Sequence, residues 1–169
     1  AREGIHFDPL IQGGTGSTSE SLEMPVEMQD QVEVGTLDFP AAAALLAGCR
    51  WLKDERLESV AAACKGYAQA CYDGLCDIPG VRVITPDPTS GVLGPPIISM
   101  VCDGYSPVEV AALFEQIAGV QVRSGYHCAA RIHEFLGTTK GGTVRISFGP
   151  FSGIRDVEAV VSVTKKIML

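Results

Sequence analysis

The segment Val122-Arg123-Ser124-Gly125-Tyr126-His127-Cys128-Ala129 is the part of this chain best equipped for chemistry. An apolar, strand-like run with Val120 and Val122 ends in a glycine turn. That turn presents a cysteine beside a histidine and close to an arginine. A thiol attacks as its thiolate, a form favoured by nearby cations, a helix N-terminus and partial exposure. Arg123 and His127 are placed to supply positive charge, and Gly125 lets the backbone turn sharply. The same cysteine also reads as a small apolar residue at a strand end, because free cysteine is among the most buried residue types.

A second candidate is Arg145, in Thr143-Val144-Arg145-Ile146-Ser147-Phe148. Alternation puts Val144 and Ile146 on one face and Thr143, Arg145 and Ser147 on the other. Arg145 then reads either as a solvent-facing arginine or as a clamp whose guanidinium fork matches a carboxylate. Gly13-Gly14-Thr15-Gly16-Ser17 offers successive backbone N–H groups and two hydroxyls, a composition that suits an anion-binding nest or a flexible loop. It lacks the Lys-Ser/Thr and the strand–helix frame of a nucleotide-binding loop. Gly35-Thr36 is a second small turn with a hydroxyl. His133 reads as packed or on the surface rather than catalytic.

The elements that must position these residues become legible from residue 41 onward. Pro40 opens a helix over Ala41–Lys53, and Glu55–Cys76 forms a second one that Pro79-Gly80 stops. Val81–Ile84 and Ile97–Cys102 read as strands separated by a Pro- and Gly-rich loop, Pro86–Pro96. Ser106-Pro107-Val108-Glu109 is a capping box with proline at the first helical position. Its helix runs to about Ala118, with Val110, Ala111, Leu113, Phe114 and Ile117 inward. A strand over Val120–Arg123, a short helix over Ala130–Leu136 and a strand over Thr143–Phe148 follow. Ile154, Val157, Val160, Val161, Thr164 and Ile167 mark a closing amphipathic helix. Residues 1–40, including Val32-Glu33-Val34-Gly35-Thr36, read as strand and loop with little core of their own. The expected fold is α/β, with helices packed on one small mixed sheet behind an irregular N-terminal segment.

Composition narrows the function classes. A length of 169 residues allows one domain with a real core, and 46% hydrophobic with 20% charged residues is ordinary for a globular protein. The net charge of -7 argues against a nucleic-acid footprint. No apolar run approaches the roughly 20 residues of a membrane span. The six cysteines (Cys49, Cys64, Cys71, Cys76, Cys102, Cys128) contain no C-x-x-C pair, so no metal site is expected. Cys64 and Cys71 fall on a helical stripe with Leu57, Val60, Ala61, Tyr67 and Leu75 and read as core. An apolar chain of this kind needs no disulfide staples, which points to a reducing, cytoplasmic compartment.

Taken together, Arg123-x-Gly125-x-His127-Cys128-Ala129, then Gly137-Thr138, then Gly142-Thr143-Val144-Arg145-Ile146-Ser147 and a helix resemble the C-terminal part of the cysteine desulfurase/selenocysteine lyase group. These are class V aminotransferase-like, fold-type I pyridoxal-phosphate enzymes. Gly13-Gly14-Thr15-Gly16-Ser17-x-Ser19-Glu20 and Glu33-x-Gly35-Thr36 are similar to that family's two dimer-interface loops. The resemblance implies a tail of the large domain over 1–40 and a small α/β domain over 41–169. It implies Cys128 as the persulfide-forming nucleophile with His127 beside it, and Arg145 and Arg123 as binders of substrate. It implies Gly14, Thr15 and Thr36 as residues that reach pyridoxal phosphate in the partner subunit of a homodimer.

The implied reaction takes sulfur from L-cysteine, releases alanine and hands the persulfide to a sulfur-acceptor protein, as in iron–sulfur cluster assembly. The alternatives are a selenocysteine lyase or aminotransferase on the same scaffold, or a non-catalytic sulfur-carrier or partner-binding module. Two features depart from the family pattern. Ala130 stands where many relatives carry proline. Lys53, Lys65, Lys140, Lys165 and Lys166 match no cofactor-lysine motif. The chain is therefore expected to be a C-terminal portion that begins after that lysine and is inactive alone, with the cofactor held mainly by the part upstream.

Overall fold

The computed structural model describes residues 8–14, 16–18, 20–90 and 94–169. They form two compact units, residues 1–54 and residues 55–169. This division falls at Asp54, so the helix expected to open the second domain belongs by its contacts to the first unit.

The first unit holds α1 (Met28–Val32) and α2 (Phe39–Asp54). Its described residues contain no strand, although strand and loop were expected around Val32–Thr36. α2 starts where Asp38 Oδ1 accepts the Ala41 N–H at 2.9 Å, with Pro40 in the first turn, where its missing N–H costs nothing. None of its residues is buried, and Leu45 is 70% exposed.

The second unit carries the core. α3 (Leu57–Cys76) buries Cys64, Ala68, Cys71 and Leu75, spaced to lie on one helical face. Leu57 and Ala61 fall off that stripe and are exposed. β1 (Val81–Val83) pairs antiparallel with β2 (Ile97–Cys102). α4 (Pro107–Ala118) opens on the expected capping box: Ser106 Oγ accepts the Glu109 N–H at 3.3 Å, and the Glu109 carboxylate accepts the Ser106 N–H at 2.8 Å. The hydrogen bonds from Ser106 hold the Glu109 carboxyl below its ordinary pKa. Gly119, in the left-handed conformation, ends the helix. α4 buries Val110 and Phe114, whereas Ile117, expected inward, is exposed.

β3 (Arg123–Gly125), α5 (Ala130–Leu136), β4 (Thr143–Ser147) and α6 (Ile154–Met168) complete the unit. α6 buries Val157, Val160, Val163, Thr164 and Ile167 and packs against both α3 and α4. The Thr164 hydroxyl donates to the Val160 carbonyl at 2.8 Å, which satisfies it inside the core. A strand was expected at Val120–Arg123. The ladder instead starts at Arg123, because β4 offers partners only to Arg123, Ser124 and Gly125, while Val120 and Val122 pack against the core without ladder bonds.

The sheet runs β1-β2-β4-β3, and every pairing is antiparallel, so the expected mixed sheet is corrected. The reason is topological. β2, α4 and β3 form a crossover whose two strands run parallel, but β4 inserts between them and pairs antiparallel with each. The α/β class stands. The sheet separates two environments. Ile98, Met100 and Cys102 of β2 and Val144 and Ile146 of β4 face the helical core. Ser99, Thr143 and Arg145 face the other way, with Arg123 of β3. All six cysteines are free thiols. No helix among the described residues is long and apolar enough to cross a membrane.

Leu75→Ala, at a fully buried core position, is expected to destabilise the second unit by about 2–5 kcal/mol. Leu45→Ala on exposed α2 should change stability by no more than about 0.5 kcal/mol. Urea titrations followed by circular dichroism would measure both, and equal losses would contradict the burial pattern.

Candidate active site

Cys128 sits at the tip of a four-residue turn between β3 and α5. The Ala129 N–H donates to the Tyr126 carbonyl at 2.9 Å and closes the turn over His127 and Cys128. Both central residues are left-handed, with φ of 51° at His127 and 63° at Cys128. Glycine and asparagine favour such a turn, and side chains of this kind make it strained by about 1–2 kcal/mol per residue. The strain places the thiol outward: Cys128 is exposed, and its Sγ lies 3.7 Å from an Arg123 guanidinium nitrogen. Arg123 is thereby placed to stabilise negative charge on the sulfur.

Arg145 lies directly across the β3–β4 ladder from Arg123 and across the β2–β4 ladder from Ser99. Like charges at opposed positions repel. Neither arginine has an acidic partner among the described residues, and the Arg145 Nε is buried without a hydrogen-bond acceptor. Two adjacent guanidiniums, one with an idle buried N–H, have the chemistry to hold an anion of the carboxylate or phosphate type. A solvent-facing Arg145 does not match this burial.

His127 is half-buried beside them. Its Nε2 lies 3.2 Å from both the Thr143 carbonyl oxygen and the Thr143 hydroxyl. A carbonyl only accepts, so Nε2 carries the proton and Nδ1 presents a lone pair, buried and unpartnered. Desolvation, and then the charges of Arg145 and Arg123, hold the His127 pKa below its ordinary 6.5 against the opposing Thr143 bond. The imidazole is therefore neutral at neutral pH, and the positive charge near the thiol comes from arginine. His133, expected packed or surface, is buried, and its ring nitrogens engage Thr138 Oγ1 at 2.7 Å and the Tyr126 carbonyl at 3.0 Å. Sequence reasoning missed Thr143 and Thr138 as partners of the two histidines; the only sequence signal was their place in the Gly137-Thr138 and Gly142-Thr143 pairs. Gly142 is required for backbone reasons: a Cβ there would lie 2.1 Å from the Gly125 carbonyl oxygen.

Cys128, His127, Arg123 and Arg145 thus converge on the open face of the sheet. A cavity of about 450 Å³ beside them is lined by Ile84, Ile97, Ser99, Tyr126, His127 and Thr143, among others. In the first unit the two glycine loops also meet: the Gly35 N–H donates to the Gly14 carbonyl at 2.8 Å, next to Thr36, with Gly35 at φ 91°. Thr15 lies outside the described residues. Among the described residues no cluster of His, Cys, Asp or Glu is arranged to hold a metal ion.

Comparison with known proteins gives the family of the chain. The family model for aminotransferase class-V matches residues 4–160. A probable cysteine desulfurase of Vibrio cholerae is 32% identical over 134 residues, covering 79% of this chain and 31% of that protein. Cysteine desulfurase CsdA of Escherichia coli is 26% identical over 138 residues, covering 82% of this chain and 32% of that protein. The apo structure of a cysteine desulfurase from Thermococcus onnurineus aligns with a TM-score of 0.77 at 25% identity, over 95% of this chain and 39% of that one. The chain thus spans about a third of the length of the curated relatives it matches.

His127 should titrate in nuclear magnetic resonance with a midpoint below 6.5, and Arg145→Gln should move that midpoint up. The folded state then binds this proton less readily than the unfolded chain. The histidine therefore favours the folded state above about pH 6.5 and loses that contribution as the pH falls below it. A midpoint above 6.5 would overturn the arrangement. Burial pushes the Cys71 thiol up to about 12 and the Cys102 thiol up to about 11. Brief, limiting alkylation read by mass spectrometry should therefore label Cys128 well before either; labelling of Cys71 first would contradict its place in the core.

Proposed function

The chain belongs to the aminotransferase class-V family, and from that membership we propose that it forms the cysteine-bearing C-terminal part of a cysteine desulfurase that works on L-cysteine. The observation that carries this reading is the juxtaposition of an exposed cysteine, held 3.7 Å from Arg123, with half-buried Arg145 across the strand pair, whose Nε is buried without an acceptor.

Arg145, with Arg123 beside it, binds and orients the carboxylate of the substrate cysteine. Its fork grips both oxygens, and the exclusion of water from the buried Nε strengthens that grip. The Cys128 thiolate attacks the substrate sulfur: a new S–S bond forms on Cys128 and the substrate C–S bond breaks. The electron pair left on carbon takes a proton, which yields alanine. Arg123 stabilises the thiolate before the attack. His127, neutral and oriented by Thr143, offers its Nδ1 lone pair beside the reacting groups. The Cys128 persulfide, at an exposed turn, then passes its outer sulfur to an acceptor protein.

The family implies pyridoxal phosphate, which when bound supplies the electron sink that weakens the substrate C–S bond. The two arginines fit the anionic periphery of such a site. No lysine stands among the residues gathered at the cysteine turn: in the second unit Lys65 lies on α3, Lys165 and Lys166 lie on α6 and Lys140 lies in the turn before β4, while Lys53 belongs to α2 of the first unit. No lysine of this chain is therefore assigned to the ring. Gly14, Thr15 and Thr36 are proposed to approach the cofactor of a partner subunit in a homodimer. The six free thiols suit a reducing compartment such as the cytoplasm.

In the full-length protein Arg145→Lys should raise the Michaelis constant for cysteine by about ten- to a hundredfold, because lysine keeps the charge but loses the fork. Steady-state kinetics of alanine release with cysteine varied would measure this. An unchanged constant would remove Arg145 from the substrate site.

A further inference from the structure

One buried group near Cys128 has no part in the chemistry above. His133, on α5, is 2% exposed. Its Nε2 lies 3.0 Å from the Tyr126 carbonyl oxygen, the same oxygen that accepts the Ala129 N–H and closes the cysteine turn. Because the carbonyl only accepts, His133 Nε2 donates, and its Nδ1 accepts the Thr138 hydroxyl at 2.7 Å. Thr138 is fixed in turn: its N–H donates to the His133 carbonyl at 2.8 Å, and its own carbonyl accepts the Gly142 N–H at 2.9 Å. The Tyr126 ring meets the His133 ring edge to face, with centroids 4.9 Å apart, and the Tyr126 hydroxyl donates to the Thr139 carbonyl. The whole origin of the turn, backbone and ring, is thus tied to the segment that leads into β4.

This matters because the turn is strained. His127 and Cys128 both have positive φ, and a single backbone hydrogen bond, Ala129 N–H to the Tyr126 carbonyl, closes the turn over them. Relaxing them would carry the sulfur away from Arg123. We propose that His133 is a positioning residue: through the Tyr126 carbonyl it holds the left-handed turn that presents Cys128 Sγ to the Arg123 guanidinium. The inference rests on the reading of Cys128 as the sulfur-accepting thiol only for its consequence in turnover; the tethering itself does not need that reading.

The experiment uses the full-length protein with His133→Leu, His133→Gln and Thr138→Val. Glutamine keeps an N–H close to the position of Nε2, and leucine does not. Two quantities are measured: the rate of Cys128 alkylation by iodoacetamide, with Cys71 as the internal reporter of an intact core, and the separate kcat and KM for L-cysteine. His133→Leu should slow Cys128 alkylation and lower kcat, each about tenfold, as expected for loss of one buried hydrogen bond that orders the turn. KM should hold, because Arg145 is untouched. His133→Gln should recover most of both rates, and Thr138→Val should fall between.

Unchanged Cys128 alkylation in His133→Leu overturns the proposal. So does an equal loss in the leucine and glutamine variants accompanied by labelling of Cys71, because that marks a role in core packing alone. If the wild type releases no alanine from cysteine, the desulfurase reading fails, and the alkylation rates still decide the role of His133.

Discussion

Strand β4 has to satisfy two opposite environments within five residues. Val144 and Ile146 must be dry, because the three long helices of the second unit close over them. Thr143 and Arg145 must meet polar partners or a ligand on the other side. Alternation along a strand allows this only while the register holds, since a slip of one residue would bury the arginine in the core and expose two valine-class side chains. Pairing with β2 on one side and β3 on the other fixes that register. The same pairings bring Arg123 opposite Arg145 and Gly125 opposite Thr143. The thiol, the two guanidiniums and the imidazole are neighbours because β4 is central and antiparallel.

The cost of that neighbourhood is visible in the local energetics. Two cations face each other without an acid between them, a guanidinium N–H and an imidazole lone pair are buried without partners, and two residues with side chains adopt left-handed backbone. Each feature is unfavourable by itself, and a stable core must tolerate their sum. That core is supplied by α3, α4 and α6, whose buried stripes lie on the opposite side of the sheet from Arg145, Arg123 and the cysteine turn. Strain and stability are thus divided between the two faces of a single sheet. A bound anion would relieve one of these unfavourable features, the apposition of two like charges.

The sequence legibly carried the helices and the central strands. Ile97–Cys102, Ala130–Leu136 and the capping box before α4 follow from alternation, periodicity and hydroxyl–carboxylate spacing, which are local properties. β3 was displaced from Val120–Arg123 because apolar β-branched residues suit a strand whether or not a partner exists, and ladder bonds depend on where β4 begins and ends. The mixed sheet failed for the same reason: strand direction depends on which strand inserts between which, and no local pattern encodes that.

At the site, the sequence by itself determined the inventory. It supplied a cysteine after Arg-x-Gly-x-His, an arginine in an alternating strand, and small-residue loops at fixed spacing. It also determined that Cys64 and Cys71 serve the core, since helical spacing puts them on the buried stripe. Only the tertiary structure decided that Arg145 is half-buried with an idle N–H, that burial and the two arginines disfavour a charged His127, and that His133 reaches the cysteine turn through one carbonyl oxygen. These properties depend on distance between residues far apart in the chain and on the water removed around them, and periodicity within a segment encodes neither.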